Sequence, residues 1–186
     1  MPSPTSRNPD SAERDVRVWL ERVVIGLNLC PFAGQPYRNG TVRIVISDSA
    51  TPDSLLAELR TELQRLDETP ATELETTLLV LTKMLAKFDD YNQFLDEVDD
   101  LLVAEEWDGI YQVASFHPDY QFAETRPEDA GNLTNRAPWP ILHLLREESV
   151  ERAVESDLNV EAIPARNIAK MESLTAEERR ELFPWL

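Results

Sequence analysis

Apolar residues along this chain fall into blocks whose spacing switches between helical and strand-like. Val16, Trp19, Leu20, Val23, Val24 and Leu27 recur at helical intervals and draw one stripe. Asp10 or Ser11 caps that helix, and Pro31 ends it near Leu29 by restricting Cys30. The Asn39-Gly40 pair marks a turn, and the β-branched run Val42 to Ile46 reads as a strand. Thr51-Pro52 supplies an N-cap and a proline at the first helical position, predicting a helix to about Leu66. Thr76 to Leu81 reads as a second, buried strand. Asp89 caps a helix that turns Phe94, Leu95, Val98, Leu101 and Leu102 inward, and Ile110 to Phe116 is the third strand. Further on, Pro138 or Pro140 opens a helix through about Glu155, and Thr175 with Glu178 forms a capping box for a last short helix.

The alternation of strand, helix, strand, helix, strand predicts right-handed crossovers. The expected fold is α/β, a small mostly parallel sheet of three or more strands flanked by helices; a ferredoxin-like α+β arrangement is the alternative. Residues 1–10, rich in Pro, Ser, Thr and Asn, are expected to be a disordered tail, and residues 11–186 a single globular domain.

Charge narrows the partners. Thirty-five Asp and Glu against 18 Lys and Arg give a formal net charge of -17, which repels a phosphate backbone and disfavours nucleic acid and anionic membrane surfaces. A single cysteine excludes an internal disulfide framework and any Cys-only zinc site. No signal peptide and no apolar run of membrane-spanning length is present, so the expectation is a soluble cytoplasmic protein.

Candidate chemistry gathers between Phe116 and Ser149, a loop-like stretch holding both histidines and many polar groups that packing does not require. In a parallel sheet, ligands bind beyond the carboxyl ends of the strands, here Ser47 and Asp48, Thr82 and Lys83, and His117. His117 stands either as a proton-transfer group or as a turn-stabilising histidine bonded to backbone. On the expected helix, His143, Arg146 and Glu147 share one face, giving an ordinary helix-stabilising surface pair or, as the sharper alternative, a His oriented by a carboxylate. Arg136, with Asn132, Asn135 and the helix N-terminus that follows, is a candidate anion clamp; the competing view has these amides satisfying the loop's own backbone. Lys83, Tyr120 and Arg146 complete the candidate substrate-binding set. Cys30 is a candidate nucleophile with His117 or His143 as base, although the carboxyl end of a helix disfavours a thiolate. His117, His143, Glu147 and Asp129 are the candidate metal ligands, without any diagnostic metal motif. The sequence leaves the cofactor unknown.

Three blocks carry a family resemblance: GLNLCPFA at Gly26 to Ala33, FHPDYQFA at Phe116 to Ala123, and NLTNRAPWPILHLLREESVERA at Asn132 to Ala153. Together they resemble the bacterial family called domain of unknown function 1415. The resemblance implies a single-domain bacterial protein of this size, and brings no activity, cofactor or catalytic residue with it.

Three functions therefore stand side by side. The first is an enzyme acting on a small anionic metabolite, held by Arg136 and worked on by His117 and His143, with Cys30 joining if the fold brings it near. The second is a metal-binding protein using both histidines and a carboxylate from Glu147 or Asp129. The third is a non-catalytic interaction module whose loop docks a partner.

Overall fold

The computed structural model describes residues 8–156 and 160–186. Residues 1–7 of the expected tail lie outside the described residues; Asn8 already begins local structure, its side chain accepting from the Asp10 amide at 3.1 Å to open a short turn, Pro9–Ser11. The first helix, α1 (Ala12–Trp19), continues through a wider π-helical turn, Leu20–Ile25. A short helix α2 (Gly34–Asn39) ends at Gly40, whose φ of 72° places it in the left-handed region that glycine tolerates.

Four strands form one sheet: β1 (Val42–Ser47), β2 (Thr76–Leu81), β3 (Tyr111–Phe116) and β4 (Ile141–Arg146), in the order β1-β2-β4-β3. β1 and β2 are parallel, whereas β4 runs antiparallel to both β2 and β3. The sheet is thus not mostly parallel. The first three strands do point the same way, as their crossover helices require, but the second crossover leaves a gap that the reversed β4 fills. The α+β description fits, although the element order departs from the β-α-β-β-α-β of a ferredoxin-like fold.

The helix expected from Pro138 or Pro140 to Glu155 is instead β4 followed directly by helix α5 (Glu147–Ser156). Ala137 and Trp139 each precede a proline, which drives them toward extended backbone. Four of the next six residues, Ile141, Leu142, Leu144 and Leu145, are apolar and fall on both sides of the strand, so they read as a hydrophobic run rather than an alternation. His143 therefore lies mid-strand and does not share a helix with Glu147.

Both crossover helices, α3 (Pro52–Glu68) and α4 (Phe88–Ala104), cover one face. Leu55, Leu59, Leu63 and Leu66 of α3 are fully buried with Leu79, Leu142 and Leu144 of the sheet. α3 begins with the expected Thr51 cap, which pairs with Ser54 as a capping box; α4 begins at Phe88 after Lys87, so Asp89 is in its first turn rather than at its cap. The Tyr91 hydroxyl donates to the Ile141 carbonyl at 2.6 Å and accepts from the Phe116 amide at 3.2 Å, tying α4 to the ends of β4 and β3. Arg43 holds the buried Glu62 of α3 through two bonds, at 2.8 and 3.2 Å. The other face meets α1, Leu133, Ala137 and Trp139 from the loop, and residues from helices α6 (Ile163–Ser173) and α7 (Ala176–Leu182), α7 opening with the expected Thr175–Glu178 capping box. No helix among the described residues is long and apolar enough to cross a membrane.

Candidate functional site

Because side chains alternate along a strand, the second face presents its residues in rows across the sheet. The strand register sets Val42, Thr76, Leu145 and Gln112 in one row, Ile44, Leu78, His143 and Ala114 in the next, and Ile46, Val80, Ile141 and Phe116 in the third. Over the third row Trp19 stacks edge-on against Phe116 at 5.2 Å. Over the first two rows lies a cavity of about 430 Å³ with an almost entirely apolar lining. It therefore sits at the amino ends of β1 to β3, not at the carboxyl ends where a parallel sheet would put a site.

Several pieces of chain wall the cavity. Leu20, Val24 and Ile25 come from the wide turn after α1, and Cys30, Pro31 and Phe32 from the segment that follows. Gly26 links them: a Cβ there would run into the Arg22 carbonyl, so only glycine permits this close approach. Across the opening, α5 contributes Val150, Ala153 and Val154, an apolar stripe at helical spacing whose opposite side carries Glu148 and Arg152 as an ion pair. Ala114, beside His143 on the neighbouring strand, is the smallest side chain of the floor and leaves the space open above the imidazole.

His143 is the central polar group of that floor. Its Nε2 lies 2.8 Å from the Thr76 hydroxyl oxygen, and that same hydroxyl is 2.6 Å from the Leu144 carbonyl oxygen. A carbonyl only accepts, so the one Thr76 proton goes to Leu144. Nε2–H must then donate to Thr76, leaving Nδ1 as the unprotonated nitrogen. No bond to Nδ1 forms among the described residues. Burial among apolar neighbours disfavours the charged ring and holds its pKa down to about 4. At neutral pH His143 is an uncharged imidazole with a free lone pair.

Cys30 is exposed and lines the same cavity, so the fold does bring Cys30 and His143 to one space. Arg146 borders it too. Its Nη2 is occupied by the carbonyls of Leu66 and Thr69 at 2.6 Å and of Leu74 at 3.0 Å, where it closes the carboxyl end of α3, and its Nε is shut away from the surface. Glu147, at the start of α5, accepts from the Gln112 amide at 3.3 Å.

The remaining candidates lie elsewhere. His117 is completely buried on the α4 side, 5.4 Å from the Phe88 ring and 5.2 Å from Tyr91. Its Nδ1 accepts from the Asp119 amide at 3.0 Å and its Nε2 donates to the Leu85 carbonyl at 3.1 Å. The two imidazoles thus belong to opposite faces of the sheet and cannot share an ion. Among the described residues no three His, Cys, Asp or Glu side chains converge as a metal set.

Asn132 is wholly buried, accepting from Phe122 N at 3.0 Å and Thr125 Oγ1 at 2.9 Å while donating to the Arg126 carbonyl at 2.7 Å. Asn135 donates to the Ser115 carbonyl at 3.2 Å. Arg136, half-buried and with its pKa lowered by that burial, donates to the carbonyls of Tyr120 at 3.1 Å and Pro127 at 2.7 Å. Tyr120 packs against Phe88 and Phe122. Asp129 accepts from the Arg126 amide at 2.9 Å. Lys83 is exposed in the turn after β2. The long loop is therefore stapled by its own polar groups, each answering a backbone partner that sheet or helix would otherwise have satisfied.

Thr76, Ala114 and Gln112 escaped notice in the sequence because they sit inside strand-like runs. Only the β4–β2 register shows that a threonine lies diagonal to the histidine. A family model described as protein of unknown function (DUF1415) matches residues 11–181, and the chain belongs to that family. Searches of curated proteins and of solved structures each returned no match.

Proposed function

We propose that this DUF1415 protein binds a small, mainly apolar molecule in the cavity over the amino ends of its strands, with His143 as the hydrogen-bond acceptor that meets it. The single observation behind this is an apolar cavity of about 430 Å³, within the usual range for small-molecule sites, whose floor holds one neutral histidine with a free nitrogen. A catalytic version of the same reading is favoured by the presence of Cys30 in the lining, which gives the cavity both a thiol and a base. A small anionic metabolite held by Arg136 is the weaker proposal, because that guanidinium already spans two loop carbonyls.

The test is saturable, one-to-one binding of an anilinonaphthalene probe. Filling the floor with Ala114→Phe is expected to abolish it while the variant still unfolds cooperatively. Undiminished binding to that variant would put the ligand elsewhere.

A further inference from the structure

Resting on that reading, we infer that the bound molecule presents a neutral hydroxyl, alcohol or phenol, to Nδ1 of His143, and that Thr76 is the positioning residue that makes Nδ1 the acceptor. The inference follows from one proton. The Thr76 hydroxyl is committed to the Leu144 carbonyl at 2.6 Å, so its oxygen faces Nε2 of His143 only as an acceptor, at 2.8 Å. That arrangement excludes the other tautomer, in which two lone pairs would meet across this short distance. What remains for a ligand is an acceptor in apolar surroundings, and an acceptor calls for a donor. A hydroxyl supplies one without charge and without a large desolvation cost.

A carboxylate fits less well. It has no proton for Nδ1, and the acidic Glu75 lies on the same rim. The cation that could answer it, Arg146, has Nη2 bound to backbone carbonyls and Nε sealed from the surface, which leaves only Nη1 to meet an anion. The Gln112 amide is turned to Glu147.

The experiment compares β-naphthol, its methyl ether and β-naphthoate as ligands of the full chain at neutral pH. The naphthol is expected to bind about tenfold more tightly than its ether, the worth of one net hydrogen bond. In His143→Leu this preference should vanish while the ether still binds, because the apolar walls are untouched. Ring ¹⁵N shifts should place the proton on Nε2 in the native chain and in Thr76→Ser, and spread it over both nitrogens in Thr76→Val. A proton found on Nδ1, or a hydroxyl preference that survives in His143→Leu, would overturn the inference and leave the cavity reading standing. A naphthoate binding more tightly than the naphthol would also overturn it, by pointing to Arg146. If none of the three binds, the cavity reading fails and this inference with it.

Discussion

The two faces of this sheet are built from similar aliphatic residues and end in opposite conditions. On one, two long crossover helices lay buried side chains against the strands, Leu55, Leu59, Leu63 and Leu66 of α3 among them fully enclosed. On the other, α1 and the loop around Trp139 pack over part of the strands, and a cavity separates α5 from the first two rows of side chains. The histidines follow the same division. His117, on the filled side, has both ring nitrogens tied to backbone; His143, on the hollow side, has one tied and one free. Identical side chains therefore serve as a peg in one place and as an open acceptor in the other, and what differs is whether a helix packs above them.

That contrast can be broken most directly by truncating one leucine on each face. Leu59→Ala should lose about 3 kcal/mol in urea unfolding, because the helix above cannot collapse into the gap. Leu145→Ala, which only widens an existing cavity, should lose about 1 kcal/mol or less. Equal losses would mean that the second face is as tightly packed as the first.

Acid gives the next effect. The folded pKa of His143, about 4, lies below the ordinary 6.5. The unfolded chain therefore takes up the proton first, and stability falls as pH drops from about 6.5 towards about 4. This one group accounts for up to about 3 kcal/mol across that window, less where water fills the cavity and softens the burial. His143→Leu should flatten that part of the profile. An unchanged acid limb would show that the ring titrates normally.

His117→Leu comes third, at about 2 kcal/mol, since it strands the Asp119 amide and the Leu85 carbonyl. His143→Leu at neutral pH should cost clearly less, and thermal unfolding of the pair sharpens the peg-and-acceptor distinction. The smallest change is that of Ala114→Phe, below about 1 kcal/mol in stability, because the added ring enters space already present. A large loss there would mean that the floor has no room.

Much of the scaffold was legible before any coordinates. β-Branched and leucine-rich runs marked β1, β2 and β3 within a residue at each end, and Thr51 and Thr175 marked two helix starts. β4 was not legible. Its apolar residues face both ways, so Ile141 to Leu145 lacked the alternation that betrays a half-exposed strand, and Pro138 and Pro140 resembled a helix opening. That one error displaced the site, since it put His143 beside Glu147 and aimed the search at the carboxyl ends of the strands. The chemistry-bearing types, Cys30 and His143, were visible as letters, while their company was not. The loop's Asn132, Asn135 and Arg136 looked like binding groups for a related reason: a long stretch without a ladder, between the end of β3 and the start of β4, needs polar side chains to answer its own amides and carbonyls.

The late insertion of β4 has a consequence for how the molecule comes into being. Until residue 146 has left the ribosome, β2 and β3 must wait as neighbours without contact, each with a bare edge of amides and carbonyls. The final strand closes both seams at once, so the chain's assembly should be gated by a contact of long sequence separation and be slow for its size. Nascent chains halted before that point are the ones expected to clump.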